Sequence, residues 1–244
     1  MTPKGSFVKL AIALALTLNT VLSQQTFEFL TDAPLEQSIS DHWAVLVAGS
    51  KGFINYRHQA DVCHSYHLLL KQGIPKENII VMAYNDVAWD DENPFPGQLF
   101  NQKDGDDVYQ GCQIDIQGVD VNKDNFVAVL TGDESKLQLN NTNSTARVVK
   151  SDSNSRIFLY FSDHGSPGHL LFPHSVIYAD ELNQTLRSMH SEGKYKEMFV
   201  FLEACESGSM FHNVDLKSIN IWAMTATNAT TPSWGTYCYP HDTI

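Results

Sequence analysis

Five short, unbroken apolar runs punctuate this chain, at residues 42–48, 78–83, 156–162, 197–204 and 219–225. Continuous apolar runs of this length read as parallel strands covered on both faces; a half-exposed strand would alternate. Between them, residues 57–72, 122–130 and 179–190 carry helical patterns that stop near Gly73, Gly132 and Gly193, where glycine can take the left-handed turn that ends a helix. Strands alternating with helices predict an α/β fold: a three-layer sandwich around a mostly parallel central sheet. The stretch 86–110, with Pro94 and Pro96, reads as a long surface excursion able to shape a site. Residues 140–154 read as a polar, solvated loop.

The chain has 244 residues, 43% of them hydrophobic, which suits one domain with a sizeable core. A formal net charge of -12 argues against nucleic acid as a partner and against a basic membrane-docking face. At the N-terminus, Lys4 and Lys9 precede an apolar stretch from Leu10 to Leu18, with Val21 and Ser23 near its exit. This is the layout of a signal peptide over residues 1–23, with one folded domain from 24 to 244. The stretch falls short of the about 20 residues a membrane span needs. Asn140, Asn143, Asn183 and Asn228 each open a glycosylation triplet, as a secreted glycoprotein would. Cys63, Cys112, Cys205 and Cys238 would allow two disulfides, or leave at least one reactive thiol.

Ligands of open α/β sheets bind beyond the carboxyl ends of the strands. One predicted strand runs into Ser162-Asp163-His164-Gly165-Ser166 and another into Glu203-Ala204-Cys205-Glu206-Ser207-Gly208. A base and a thiol therefore fall on one edge, 41 residues apart in sequence. An imidazole can take the proton of a thiol whose free pKa is about 8.5, and the thiolate then attacks a carbonyl. His164 and Cys205 are the expected base and nucleophile, with Asn55 orienting the imidazole. The backbone amides of Gly165 and Cys205 are the expected oxyanion donors. The Glu203-to-Gly208 segment is also a variant of the caspase nucleophile segment, which follows its histidine by about 50 residues.

The chain resembles the legumain family of asparaginyl endopeptidases, which are caspase-like cysteine peptidases. The resemblance rests on His42-Trp43 through Gly49-Ser50, Asn55-Tyr56-Arg57-His58-Gln59-Ala60-Asp61, Tyr109-Gln110-Gly111, Asp163-His164-Gly165-Ser166 and Glu203 through Met210. It implies a caspase-like fold, vacuolar, lysosomal or extracellular residence, and cleavage after Asn, with Asp accepted at lower pH. It further implies peptide ligation in some members, cystatin-type inhibitors as partners, and no cofactor. It assigns Asn55, His164 and Cys205 to catalysis, and Arg57, His58, Asp163, Glu203 and Ser233 to substrate binding. An acceptor (Glu203) beside donors (Arg57, Ser233) suits a carboxamide, which offers both.

Relative to the family pattern, residues 240–244 show no strand. The expectation is a peptidase domain with an incomplete C-terminal edge, one pocket carboxylate missing and no helical prodomain. It would be a fragment or a short form that folds poorly and cleaves slowly. The alternative readings are an inactive secreted glycoprotein acting as a binding or decoy form, and a glycosylphosphatidylinositol transamidase-like catalytic subunit. Asp163, where the transamidase pattern has glycine, speaks against the second. Asp120-x-Asn122-x-Asp124 begins like a calcium loop, but Asn125 and Thr131 stand where glycine and glutamate belong. Cys63, His64 and His67 read as a buried thiol and packed histidines; no metal is expected.

Overall fold

A computed structural model describes residues 42–235. The expected signal peptide, Cys238 and residues 240–244 lie outside the described residues. The elements run β1 (His42–Ala48), α1 (Tyr56–Lys71), β2 (Ile79–Ala83), β3 (Ile116–Gln117), α2 (Lys123–Thr131), β4 (Arg156–Ser162), β5 (Gly165–Ser166), β6 (His169–Phe172), β7 (Ser175–Tyr178), α3 (Ala179–Ser191), β8 (Glu197–Glu203) and β9 (Ile221–Thr225). The main sheet has the order β3-β2-β1-β4-β8-β9, and every neighbouring pair is parallel. Helix α1 packs on one face across β1, β2 and β4. On the other, α2 and α3 bury Phe126, Val129, Leu182 and Leu186 against Val45, Ile157 and Val200. This is the caspase-like α/β sandwich expected from the sequence.

The helix stops follow from glycine. At the end of α1, Gly73 takes φ 90° while its N–H reaches Leu70 O and the Ile74 N–H reaches Leu69 O. That pair of bonds satisfies carbonyls the helix would otherwise leave open. Gly193 repeats the arrangement after α3, with bonds from Gly193 to His190 O and from Lys194 to Met189 O. At the other end of α2, Asn122 Oδ1 accepts the Asn125 N–H, a capping role. Asp120, fully buried, accepts the backbone N–H groups of Asn140 and Asn141. The calcium-like triplet is thus a helix cap and a loop clasp.

Three expectations need correction. The strands of the sheet are not all covered on both faces. β1 and β2 are, but β8 alternates, burying Met198, Val200 and Leu202 while Phe199, Phe201 and Glu203 are half-buried. β9 starts at Ile221 and exposes Trp222 (68%) and Met224. On the α1 side, a ladder of Phe158, Tyr160, Phe199 and Phe201 rings runs along β4 and β8. The runs looked continuous because aromatic residues fill the outward positions. The stretch 86–110 is not a mere excursion either. It buries Val87, Ala88, Leu99 and Val108 against Ala60 and Cys63 of α1, forming a second small core. Nor is Cys63 a free thiol: it forms a disulfide with Cys112 that closes 49 residues of chain.

Candidate active site

Parallel pairing decides what meets at the sheet edge. Ser162 at the end of β4 is in register with Glu203 at the end of β8, and the Asp163 N–H bonds to Glu203 O at 3.0 Å. Two residues further on, the adjacent strands deliver His164 and Cys205 to one side of the molecule. Gly165 explains how closely the two segments pass. A Cβ there would stand 2.5 Å from Cys205 O and 3.0 Å from Ala204 Cβ, so only glycine fits. Glycine here answers to the close approach of the two segments, beside its expected part as an oxyanion donor.

His164 is half-buried, and its Nε2 lies 2.8 Å from Asn55 Oδ1. Asn55 Nδ2 donates to Lys51 O at 2.8 Å, which fixes the amide so that Oδ1 faces the ring. The ring nitrogen facing an acceptor must carry a proton, so Nε2 is protonated and Nδ1 is left as the basic atom. Burial, then the nearby Arg57 charge, hold the His164 pKa below its ordinary value. Cys205 is the free cysteine among the described residues. Its sulfur receives the Ser233 N–H at 3.3 Å and lies 3.7 Å from Ser233 Oγ.

Beneath His164 lies a second, buried pair. His58 is 2% exposed and Asp163 5%. His58 Nδ1 lies 2.6 Å from Ser50 Oγ and 3.3 Å from Asp163 Oδ1, and the His58 ring stands edge-on to that of His164. The contact is not an ion pair. Burial, with the charges of Arg57 and His164, pushes His58 down to about 2. Burial likewise pushes Asp163 up to about 7. These opposite shifts favour an uncharged pair, with the carboxyl protonated rather than the ring. Gly49 makes room for this pair, because a Cβ there would stand 2.6 Å from Asp163 Oδ2. His58 and Asp163, both expected to bind substrate, are buried in this structure. No signal in the sequence pointed to Ser50 as the partner of His58.

Arg57 starts α1 beside them and forms no ion pair among the described residues. The Glu203 carboxyl is raised first by burial and then by the charge of Asp61, while nearby Ser233 and Arg57 draw it down. Arg57, Glu203 and Ser233 are thus neighbours, and Ser233 touches the thiol. An open groove of about 630 Å³ along α3, lined by Asp180, Arg187 and His212, shares no residue with this constellation. Of the glycosylation triplets, Asn140, Asn143 and Asn228 are exposed. Asn183 is not: it is 6% exposed, and the amide nitrogen that a glycan would join donates to Met210 O at 2.8 Å. That site is closed in the folded chain.

The pattern of the Peptidase C13 family matches residues 42–244. The chain belongs to this family. It is 51% identical over 202 residues to a vacuolar-processing enzyme of Citrus sinensis, covering 82% of this chain and 40% of the relative. With the delta-isozyme of vacuolar-processing enzyme from Arabidopsis thaliana it shares 44% over 242 residues, 97% of this chain and 51% of the relative. With legumain of Canavalia ensiformis it shares 46% over 206 residues, 84% of this chain and 42% of the relative. The chain thus spans about half, or less, of the length of these C13 relatives. No helix among the described residues is long and apolar enough to cross a membrane.

Proposed function

We propose that this C13 family chain is a cysteine endopeptidase that cuts after asparagine, and after aspartate at lower pH. The observation that carries the reading is a free thiol and an Asn-oriented imidazole leaving adjacent parallel strands at the same level. His164 Nδ1 takes the Cys205 proton, and the thiolate attacks the scissile carbonyl. The Ser233 N–H offers the sulfur anion a partner. The Gly165 and Cys205 amides receive the oxyanion, each worth about 3–4 kcal/mol in such sites. His164 then protonates the leaving amine, and water or a second amine resolves the thioester, giving hydrolysis or ligation. Arg57, Ser233 and Glu203 bind the asparagine carboxamide by donating to its oxygen and accepting from its nitrogen.

The secretory layout of residues 1–23 and the vacuolar names of the relatives support residence in a vacuole or lysosome. An asparagine-based covalent probe tests the reading. The chain should label at Cys205, and labelling should vanish in Cys205→Ser. Labelling that survives that substitution would assign the nucleophile elsewhere.

A further inference from the structure

One half-buried carboxyl near the candidate site takes no part in the chemistry above. Asp61 stands one helical turn after Arg57 on α1, so the two side chains share a face. Its Oδ1 accepts Asn101 Nδ2 at 2.6 Å, and its Oδ2 accepts Ser162 Oγ at 3.1 Å. Ser162 is the register neighbour of Glu203, which puts their side chains on one face of the sheet. Asp61 therefore faces Arg57 and His64 from its own helix, Asn101 from the loop, Ser162 and Tyr160 from β4, and Glu203 from β8. Two carboxyls thus share the field of one guanidinium.

We infer that Asp61 is a specificity-positioning residue: ionised, its charge keeps substrate carboxylates out of the pocket, and protonated, it lets an aspartate side chain approach Arg57. The inference deepens the proposed asparagine preference and rests on it. A carboxamide is neutral and responds weakly to the net charge of the pocket wall, whereas a carboxylate responds fully. With Asp61 and Glu203 both ionised, negative charge outweighs Arg57 and aspartate is repelled. Burial holds the Asp61 carboxyl above its ordinary value against the hydrogen bonds from Asn101 and Ser162, so it takes up a proton early on acidification. Losing the Asp61 charge also eases ionisation of Glu203. That reply opposes the direct effect but stays smaller, since it is only a partial response to it.

Asp61→Asn removes the charge and keeps the shape, because its oxygen can accept from Asn101 while its nitrogen donates to Ser162 Oγ. Asp61→Glu keeps the charge. The full chain and both variants would be assayed on two peptides differing only in Asn or Asp at the cut, from about pH 4.5 to about pH 7, with thermal midpoints alongside. In Asp61→Asn, the Asp-to-Asn ratio of kcat/KM should rise on the order of threefold to tenfold near neutrality. The rise should come through the KM of the Asp peptide and shrink on acidification, as the natural Asp61 itself takes up a proton. Asp61→Glu should keep the natural ratio. An unchanged ratio in Asp61→Asn, or an equal loss on both peptides with a lowered thermal midpoint, would overturn the inference alone. A natural chain that cuts neither peptide would overturn the asparaginyl reading and this inference with it.

Discussion

The histidine half of the candidate site and its cysteine half are held in different ways. On the histidine side, Asn55 is tied to Lys51 O, His58 to Ser50, and Asp163 sits in a space that only Gly49 leaves open. The loop from 84 to 115 then straps the helix that carries these groups. Asp86 accepts Gly52 N–H and Gln59 Nε2, the Tyr56 hydroxyl accepts Phe100 N–H, and Cys112 is bonded to Cys63. On the cysteine side, the sulfur touches Ser233, and Glu206 next to it takes a left-handed φ of 49°. Beyond it lies β9, with its exposed Trp222. The base is positioned through side-chain hydrogen bonds on a strapped helix, and the nucleophile's segment through backbone bonds from Glu206 to Thr231 O and from Gly208 to Thr227 O. Substitutions on the first side should cost stability together with activity, and those on the second should cost activity alone.

The largest effect expected of that contrast is at the nucleophile. Cys205→Ser should lower hydrolysis of an asparaginyl peptide by about a thousandfold or more, with the thermal midpoint unmoved. A midpoint that falls with the activity would break the contrast, since the cysteine would then be part of the frame. The disulfide tests the other half. Cys63→Ser opens a loop of 49 residues. On chain-entropy grounds it should lose about 4 kcal/mol in a urea titration, with activity following the folded fraction. Unaltered stability would mean that the strap adds nothing. Glu203→Gln lies between the two halves. It keeps the shape of the pocket but adds donors where an acceptor is needed, so cleavage after asparagine should fall roughly tenfold at little cost in stability.

How much of this was legible in the sequence depended on the range of the interactions concerned. The order of strands and helices, the glycine stops and the placing of His164, Cys205 and Asn55 were legible, because periodicity, turn chemistry and strand ends are local signals. The Cys63–Cys112 bond, the Ser50–His58 contact and the Asp61–Ser162–Glu203 row were not. The first and last join segments distant in sequence that only the folding-back of a long loop, or the register of parallel strands, brings together; the second spans eight residues and depends on how the chain turns from β1 into α1. Asn183 is the clearest case of a local motif losing to tertiary structure. Its triplet is intact, but its position on the inner side of α3 gives its amide to Met210. The edge character of β9 was hidden for a related reason: apolar Trp222 and Met224 mark a strand without saying whether its outer face is covered.

The subtlest effect expected concerns pH and the buried pair, and it sharpens the contrast most. Between roughly pH 4 and pH 6.5, the unfolded chain carries a proton on His58 and none on Asp163. The folded pair carries the proton on Asp163, held up to about 7, and none on His58, held down to about 2. Both states bind one proton, so this pair adds no slope to the natural chain's stability across that window. Asp163→Asn removes the folded state's proton and leaves the unfolded state's, so its stability should rise with pH through the window. His58→Gln leaves the raised carboxyl alone. Its contribution is full below about pH 4 and is lost as pH rises through about 7, so the slope should reverse. Urea midpoints at three pH values would show opposite slopes in the two variants if one proton is shared. Parallel profiles would mean that the two groups titrate apart, and the histidine half would lose the coupling that distinguishes it from the cysteine half.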